Sequence, residues 1–416
     1  MSTTATDTCD VAISGGGLVG ASLALALRGL GLDVRLIEAF PVDSAAQPSF
    51  DERTTALGNG SRRIFEALGI WGAMAGHAAQ IRDIHVSDAG RFGFARLTAA
   101  EFGQEALGYV VPNRVIGRAM WQALHDSNEI RVHVPARVTA ARFDADAVRL
   151  TVQGEGERWE LAARLTVAAD GAHSLVREAA GVDASTTDYG QTAIVCSLRT
   201  DQPADGIAYE RFTPDGPMAL LPLQAPWRAL VWAVATADAP ALLALTPAEF
   251  VARWQRGFGF RAGRAREVGA RASYPLSLTR AAQVIAPRCV LLGNASQALH
   301  PVAGQGFNLA LRDAAVLAEV LAAGLGDRGA RERDAGDAAL LERFATERSR
   351  DRSAMVGFTD GLVRLFSSRR PGVAPLRDAG LLLFDVLPPA KRALSRISFG
   401  FGSATPRLAR GLPLRR

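Results

Sequence analysis

Six residues near the start constrain the fold more than any other feature: Gly15-Gly16-Gly17-Leu18-Val19-Gly20, a GxGxxG whose glycines are Gly15, Gly17 and Gly20. They follow Asp10-Val11-Ala12-Ile13-Ser14, which reads as a short buried strand. They open a run, Ala21 to Gly29, that reads as a helix ending at Gly29 or Gly31. A second strand, Asp33 to Glu38, brings a carboxylate 23 positions after Gly15. Strand, glycine turn, helix, strand and terminal acid within one βαβ unit mark a dinucleotide-binding sheet. Gly15 permits the tight turn, Gly17 lets backbone approach a pyrophosphate, and Gly20 lets helix and strand pack closely. The helix N-terminus offers N–H groups to phosphate, and Glu38 accepts from a ribose hydroxyl.

The rest of the chain alternates between two patterns. From about residue 81, Ile84, Val86, the turn Asp88-Ala89-Gly90, Phe92 and Phe94 read as short alternating strands. A helix is expected over Asn113 to Ser127, strands near 131 to 153, and another at Leu165 to Ala169. A second antiparallel block follows: Ala193 to Leu198, Ile207 to Phe212, Met218 to Leu223 and Ala229 to Val234. Thr246-Pro247-Ala248-Glu249 joins a capping box to a first-turn proline, so 247 to 257 should be helical. Strand Cys289 to Leu292 resumes the parallel pattern, helices follow over 307 to 324 and 337 to 366, and 324 to 336 reads as a linker. The expectation is an α/β chain in which a Rossmann-like lobe (7–80, 108–180 and 279–365) is interleaved with a mostly antiparallel β-sheet lobe (81–107 and 181–278), ahead of a basic, partly helical C-terminal region (366–416).

Charge narrows the classes of partner. Between residues 364 and 416, eleven basic side chains face Asp378 and Asp385, a surplus of +9; since the total is +5, the body carries −4. An acidic body without a binding motif argues against nucleic acid. The basic tail, interleaved with Leu381, Leu382, Leu383, Phe384, Phe399 and Phe401, suits anionic lipid or an acidic partner. The uncharged stretch Val11 to Leu27 is too glycine-rich for a membrane span, and acids precede it where a signal peptide needs positive charge. Cys9, Cys196 and Cys289, an odd number without CxxC spacing, indicate neither a disulfide framework nor a metal site and suit a reducing cytoplasm.

Two further motifs choose among dinucleotides. Asp170-Gly171-Ala172-His173-Ser174 follows one apolar strand and Gly293-Asn294-Ala295-Ser296-Gln297 another. At His300-Pro301-Val302-Ala303-Gly304-Gln305-Gly306-Phe307-Asn308 a helix opens after glycines, again aiming N–H groups at something electron-rich. An isoalloxazine carbonyl that gains charge on reduction fits there. Together these residues resemble the FAD-dependent aromatic hydroxylases of the para-hydroxybenzoate hydroxylase type, and within them the ubiquinone-biosynthesis hydroxylases. The likeness runs over nearly the whole chain. Phe50-Asp51-Glu52-Arg53-Thr54-Thr55-Ala56-Leu57, His85-Val86-Ser87-Asp88, Glu210-Arg211-Phe212-Thr213 and Tyr274-Pro275-Leu276 are similar to the 2-polyprenyl-6-methoxyphenol hydroxylase branch. Where most of the wider superfamily carries Gly-Asp-Ala-Ala-His, this chain has Gly293-Asn294-Ala295-Ser296-Gln297; Asn294 still offers hydrogen bonds to ribityl or ribose hydroxyls but no charge.

The resemblance implies noncovalent FAD, with NAD(P)H and O2 as co-substrates and the nicotinamide binding transiently, since the chain has no second Rossmann motif. It places Arg53 near flavin and pyrophosphate, Arg114 on phosphate or ribityl groups, Val138 at the adenine through its backbone, and Asp170 between FAD and the nicotinamide route. Gly293, Asn294, Pro301, Gly304, Gln305, Gly306 and Asn308 complete the implied cofactor set. It also implies a prenylated phenol substrate and hydroxylation of its ring, with strands around 192 to 235 and 270 to 278 roofing the flavin. Contact with the inner face of the plasma membrane or with a quinone-biosynthesis assembly through the basic tail, and a homodimer, belong to the same expectation. His300 either relays protons or only bonds loop backbone. Tyr189, Tyr209 and Tyr274 either line the cavity or pack, and no catalytic base is assigned. Alternatives are hydroxylation of another phenol, a prenyl reductase, or an FAD-binding structural subunit. Halogenation needs a lysine near the flavin, and the sole lysine, Lys391, lies in the tail.

Overall fold

Parallel pairing of Asp7–Ser14 with Val34–Ile37 on one side and with Arg158–Ala168 on the other sets the centre of the first sheet. Its order runs Ile285–Ala286, Cys289–Leu291, Arg158–Ala168, Asp7–Ser14, Val34–Ile37, Ile130–His133, with Ala136–Phe143 and Val148–Gly154 joined antiparallel to it. The computed structural model describes residues 7–41, 44, 47, 51, 53–299, 304–326, 334–367 and 405–414, with 380, 383, 385, 387, 389 and 391. Val34–Ile37 and the second half of the neighbouring strand, Val11–Ser14, are buried at every residue, as a sheet covered on both faces requires.

The first helix spans Leu18–Ala26, three residues earlier than expected. Gly17 itself is the extended N-cap, so the glycine run ends where the helix begins. Two glycines are obligatory there. Gly15 sits at φ +99° and a Cβ on it would fall 2.4 Å from the Ala169 carbonyl oxygen; one on Gly20 would fall 1.9 Å from that of Gly15. Helix Gln305–Leu325 packs beside this helix and buries Leu309, Leu311, Leu317 and Leu321 completely. Each such side chain contributes about 1.5–3 kcal/mol relative to exposure.

The second sheet has nine strands, eight of them in the order Gln297–Ala298, Ala272–Ala281, Ala184–Thr200, Trp227–Ala235, Gly216–Pro222, Ile207–Thr213, Asp83–Asp88, Phe94–Thr98. Only the Ile207–Thr213 and Asp83–Asp88 pair is parallel among these. Strand Ala184–Thr200 runs well before the expected Ala193 because its first half is exposed and polar and carries no apolar alternation. One face is covered by helix Pro247–Phe258, whose capping box and N1 proline are formed as the sequence predicts. Trp232, Phe250 and Trp254 fill that interface with no exposed surface. A small third sheet, Thr54–Gly58, Gly108–Pro112 and Ala79–Ile81, lies between the lobes in sequence. The chain is thus α/β, a parallel nucleotide-type sheet interleaved with a mostly antiparallel one. Helix Ala338–Ser367 follows; most of the tail and residues 327–333 of the expected linker lie outside the described residues.

Candidate functional site

A cleft of about 650 Å³ opens at the carboxyl ends of the parallel strands, the position where open α/β sheets bind ligands. Ser14, Gly15 and Gly17 form its floor, Glu38 to Phe40 one wall, Ala169 to Gly171 the opposite wall, and Gly293, Asn294, Gly306 and Phe307 its far end. Four loops from distant parts of the chain converge because four neighbouring strands end there.

Glu38 is 6% exposed; its Oε2 accepts from the Gly16 N–H at 2.5 Å and its Oε1 from the Phe40 N–H at 2.9 Å. Burial raises its carboxyl above the ordinary value, against the pull of those N–H groups. Trp121 donates through Nε1 to the Gly16 carbonyl at 3.2 Å and braces the turn from below, a role the sequence did not suggest.

Asp170 carries an orphan. Its Oδ2 accepts from the Val176 N–H at 3.4 Å, while Oδ1 is buried with no partner, and burial raises the carboxyl. Arg177, 6% exposed, donates through Nη1 to the carbonyls of Ala172 at 2.9 Å and Ala295 at 3.1 Å, tying the Asp170 loop to the Gly293 loop. Ser296, which stands where most of the superfamily carries alanine, is 1% exposed and accepts from Arg352. Arg352 in turn pairs with Asp313, and Asp313 with Arg348, so the hydroxyl anchors the loop to a buried ion cluster.

Arg53 lies at the cleft rim with its guanidinium bonded to Asp51 at 2.6 Å and stacked 4.5 Å over the Tyr274 ring. Thr55 donates to Asn113 Oδ1 at 2.7 Å, and both line the cleft. Arg114 does not. Asn113 opens helix Asn113–His125 and lines the cleft, and Arg114 follows it in the first turn. The proline before Asn113 could have located the helix start.

Of the sequence-predicted residues, Gly15, Gly17, Glu38, Arg53, Val138, Asp170, Gly293, Asn294 and Gly306 line the cleft. Gly20 lies under the Gly15 carbonyl and serves packing. Gly304 and Gln305 begin the helix behind the lining, and Pro301, with His300, Phe50 and Glu52, lies outside the described residues. Asn308 is a correction. Its Nδ2 donates to the carbonyls of Ala56 and Gly304, both at 2.8 Å, and its Oδ1 accepts from the Gly58 N–H at 2.9 Å and the Ser61 hydroxyl at 2.7 Å. All four of its side-chain valences clamp the helix to strand Thr54–Gly58, leaving none for a ligand.

A dinucleotide flavin fits these groups: a glycine turn at a helix N-terminus, an acid on each of two facing walls, one with an unpartnered oxygen, and an arginine at the rim. The family model described as an FAD binding domain matches residues 8–359. Ubiquinone hydroxylase UbiL of Rhodospirillum rubrum is 39% identical over 97% of this chain and 93% of the relative. The 3-demethoxyubiquinol 3-hydroxylase of Escherichia coli is 32% identical over 94% and 98% of the two chains. Human ubiquinone biosynthesis monooxygenase COQ6 is 30% identical over 94% and 92%. Among solved structures, p-nitrophenol 4-monooxygenase PnpA of Pseudomonas putida superposes with a TM-score of 0.79 over 97% of this chain and all of its own, at 18% identity, which speaks to fold alone. The chain therefore belongs to the FAD-dependent hydroxylases of the ubiquinone-biosynthesis family and is a flavin monooxygenase.

Proposed function

We propose that this protein hydroxylates the ring of a 2-polyprenyl-6-methoxyphenol to the corresponding 1,4-benzoquinol, using NAD(P)H and O2. The observation that carries the reading is the 39% identity to a ubiquinone hydroxylase across nearly the whole chain. The fold supports it: the sheet face away from helix Pro247–Phe258 carries Ala193, Ala233 and Leu276 as an apolar cluster, with Val195 and Val231 against it. Such a surface suits an aromatic ring and isoprenoid tail and keeps water from the reaction.

Bound FAD supplies the redox chemistry and oxygen activation. The protein's part is placement. The Gly15–Gly20 turn and its helix receive the pyrophosphate, Glu38 a ribose, Asp170 Oδ1 a donor hydroxyl, and Arg53 negative charge at the rim. No helix among the described residues is long and apolar enough to cross a membrane. A peripheral membrane contact would bring a prenylated substrate within reach, and Phe92 and Phe260, 92% and 61% exposed, are available for it.

Quinone profiling by mass spectrometry in a deletion strain tests the step, with wild type and a Gly15→Ala/Gly17→Ala variant as complements. Accumulated 2-polyprenyl-6-methoxyphenol cleared only by wild type is expected. Accumulated 3-demethoxyubiquinol would assign the step named for the E. coli relative, unchanged quinones would point to another phenol, and clearance by the variant would indicate a structural subunit.

A further inference from the structure

Glu210 lies in strand Ile207–Thr213, within the Glu210-Arg211-Phe212-Thr213 segment that the cofactor cleft does not use. It stands opposite Ala219 on one side and Val86 on the other. Residues directly opposite share a sheet face, so the face can be traced across the strands. Ala219 faces Val231, and Val231 faces Val195. Two residues before Val195, Ala193 is paired with Tyr274. Glu210 and Tyr274 are therefore on one face.

That face turns toward the flavin lobe. Tyr274 donates to Asp51 and lies under Arg53 of the cleft rim. Ala208, two residues before Glu210, packs with Val110 and Ala56. A Cβ built on Gly304, the N-cap of the helix that ends the cleft, would fall 3.3 Å from that same Ala56. The opposite face is filled by Tyr209, Met218, Trp232 and Ile194 beneath helix Pro247–Phe258. Glu210 thus projects from an apolar wall between the lobes.

Its own environment is unusual for a carboxylate. The Glu210 carboxylate makes no hydrogen bond or ion pair among the described residues. The side chain is half-buried on a face otherwise lined by apolar residues. Burial alone pushes its carboxyl up to about 7. A carboxylate on an apolar face without a partner calls for an explanation, and acids in such settings cluster where proton transfer is needed.

We propose that Glu210 accepts the hydroxyl proton of the phenol substrate. The inference rests on the phenol-hydroxylase reading above. As the phenol O–H bond breaks, the proton bonds to a Glu210 oxygen and the electron pair stays on the phenolate, enriching the ring carbon that attacks activated oxygen. When the ring regains aromaticity, the proton on the hydroxylated carbon leaves to solvent and Glu210 returns its proton to the first oxygen. The carboxylate ends unchanged; NAD(P)H and a proton reduce the second oxygen atom to water.

The charged groups on elements packed around it are few. Asp88, on the same face of the neighbouring strand, pairs with Arg91, and Asp51 and Arg53 pair with one another across the face beside Tyr274. Strands Gly216–Pro222 and Trp227–Ala235 present Ala219, Leu221, Val231 and Ala233 there. Because the base works ionised, turnover should rise with pH through about 7, where the group titrates.

The test uses full-length FAD-loaded protein with NAD(P)H, O2 and 2-geranyl-6-methoxyphenol. Glu210→Gln should lose at least about 100-fold in product formation, the range of general-base removal. FAD content and unfolding temperature should hold, and the acid limb of the pH profile should vanish. Glu210→Asp should restore part of the rate and the limb. Wild-type rate and profile in Glu210→Gln would overturn the proposal, as would loss of FAD from that variant, which would make the role structural. No product from wild type would contradict the phenol reading itself, and this proposal with it.

Discussion

The Tyr274 hydroxyl donates to Asp51 at 2.9 Å, and the same Asp51 oxygen holds Arg53 at 2.6 Å. One carboxylate oxygen thus joins the antiparallel sheet to the rim of the cofactor cleft. Burial and the bond to Asp51 raise the Tyr274 phenol, so it stays a donor at neutral pH. Tyr274→Phe keeps the ring under Arg53 and removes only the bond. It should cost about 0.5–1.5 kcal/mol in urea unfolding. Arg53→Ala should instead weaken FAD binding about 10-fold or more, measured by flavin fluorescence titration, because a charge-assisted contact is lost.

Gly20→Ala places a methyl group where only 1.9 Å separates it from the Gly15 carbonyl oxygen. Since Gly20 does not touch the cleft, its effect must pass through the turn. Purified variant should hold little flavin, read as visible absorbance per protein, with a lowered unfolding temperature.

Arg177 Nη1 donates to both the Asp170 and the Gly293 loops and so joins them. Arg177→Leu leaves two carbonyls without that donor, at about 1–3 kcal/mol each where buried. Lower stability together with weaker FAD binding is expected. Weaker stability with unchanged FAD affinity would show the two loops to be independently held.

Asp313 is 1% exposed and pairs with Arg348 at 2.6 Å and Arg352 at 3.2 Å. Asp313→Ala strands those guanidinium groups and should cost about 3–5 kcal/mol in chemical denaturation. In the same cluster burial would raise the Asp351 carboxyl, but Arg312 and Arg348 outweigh it and hold it below 3.8. A depressed carboxyl stabilises fully above its unfolded value and loses that contribution as pH falls through the folded one. Stability should therefore decline below about pH 4, and less steeply in Asp351→Asn.

The parts of the fold legible in the sequence are those encoded locally. Gly15, Gly17, Glu38, Asp170 and Gly293 announce themselves by spacing and by the strands before them, and all line the cleft. Asn308 sits in an equally suggestive segment, but its partners Ala56, Gly58 and Ser61 lie some 250 residues away, and nothing local reveals that its side chain is already saturated. Arg114 was expected from the family resemblance, whereas Asn113 beside it lines the cleft. The face shared by Glu210 and Tyr274 depends on register across five strands, which alternation within each strand cannot supply.

Oxygen labelling tests the central claim most directly. The FAD-loaded protein is given NAD(P)H and a 2-prenyl-6-methoxyphenol under 18O2, and the product is weighed by mass spectrometry. A quinol carrying a single 18O atom is expected, with flavin-depleted protein inactive. A product oxygenated from water, or NAD(P)H oxidised with peroxide and no ring product across prenylated phenols, would contradict hydroxylation as this protein's reaction.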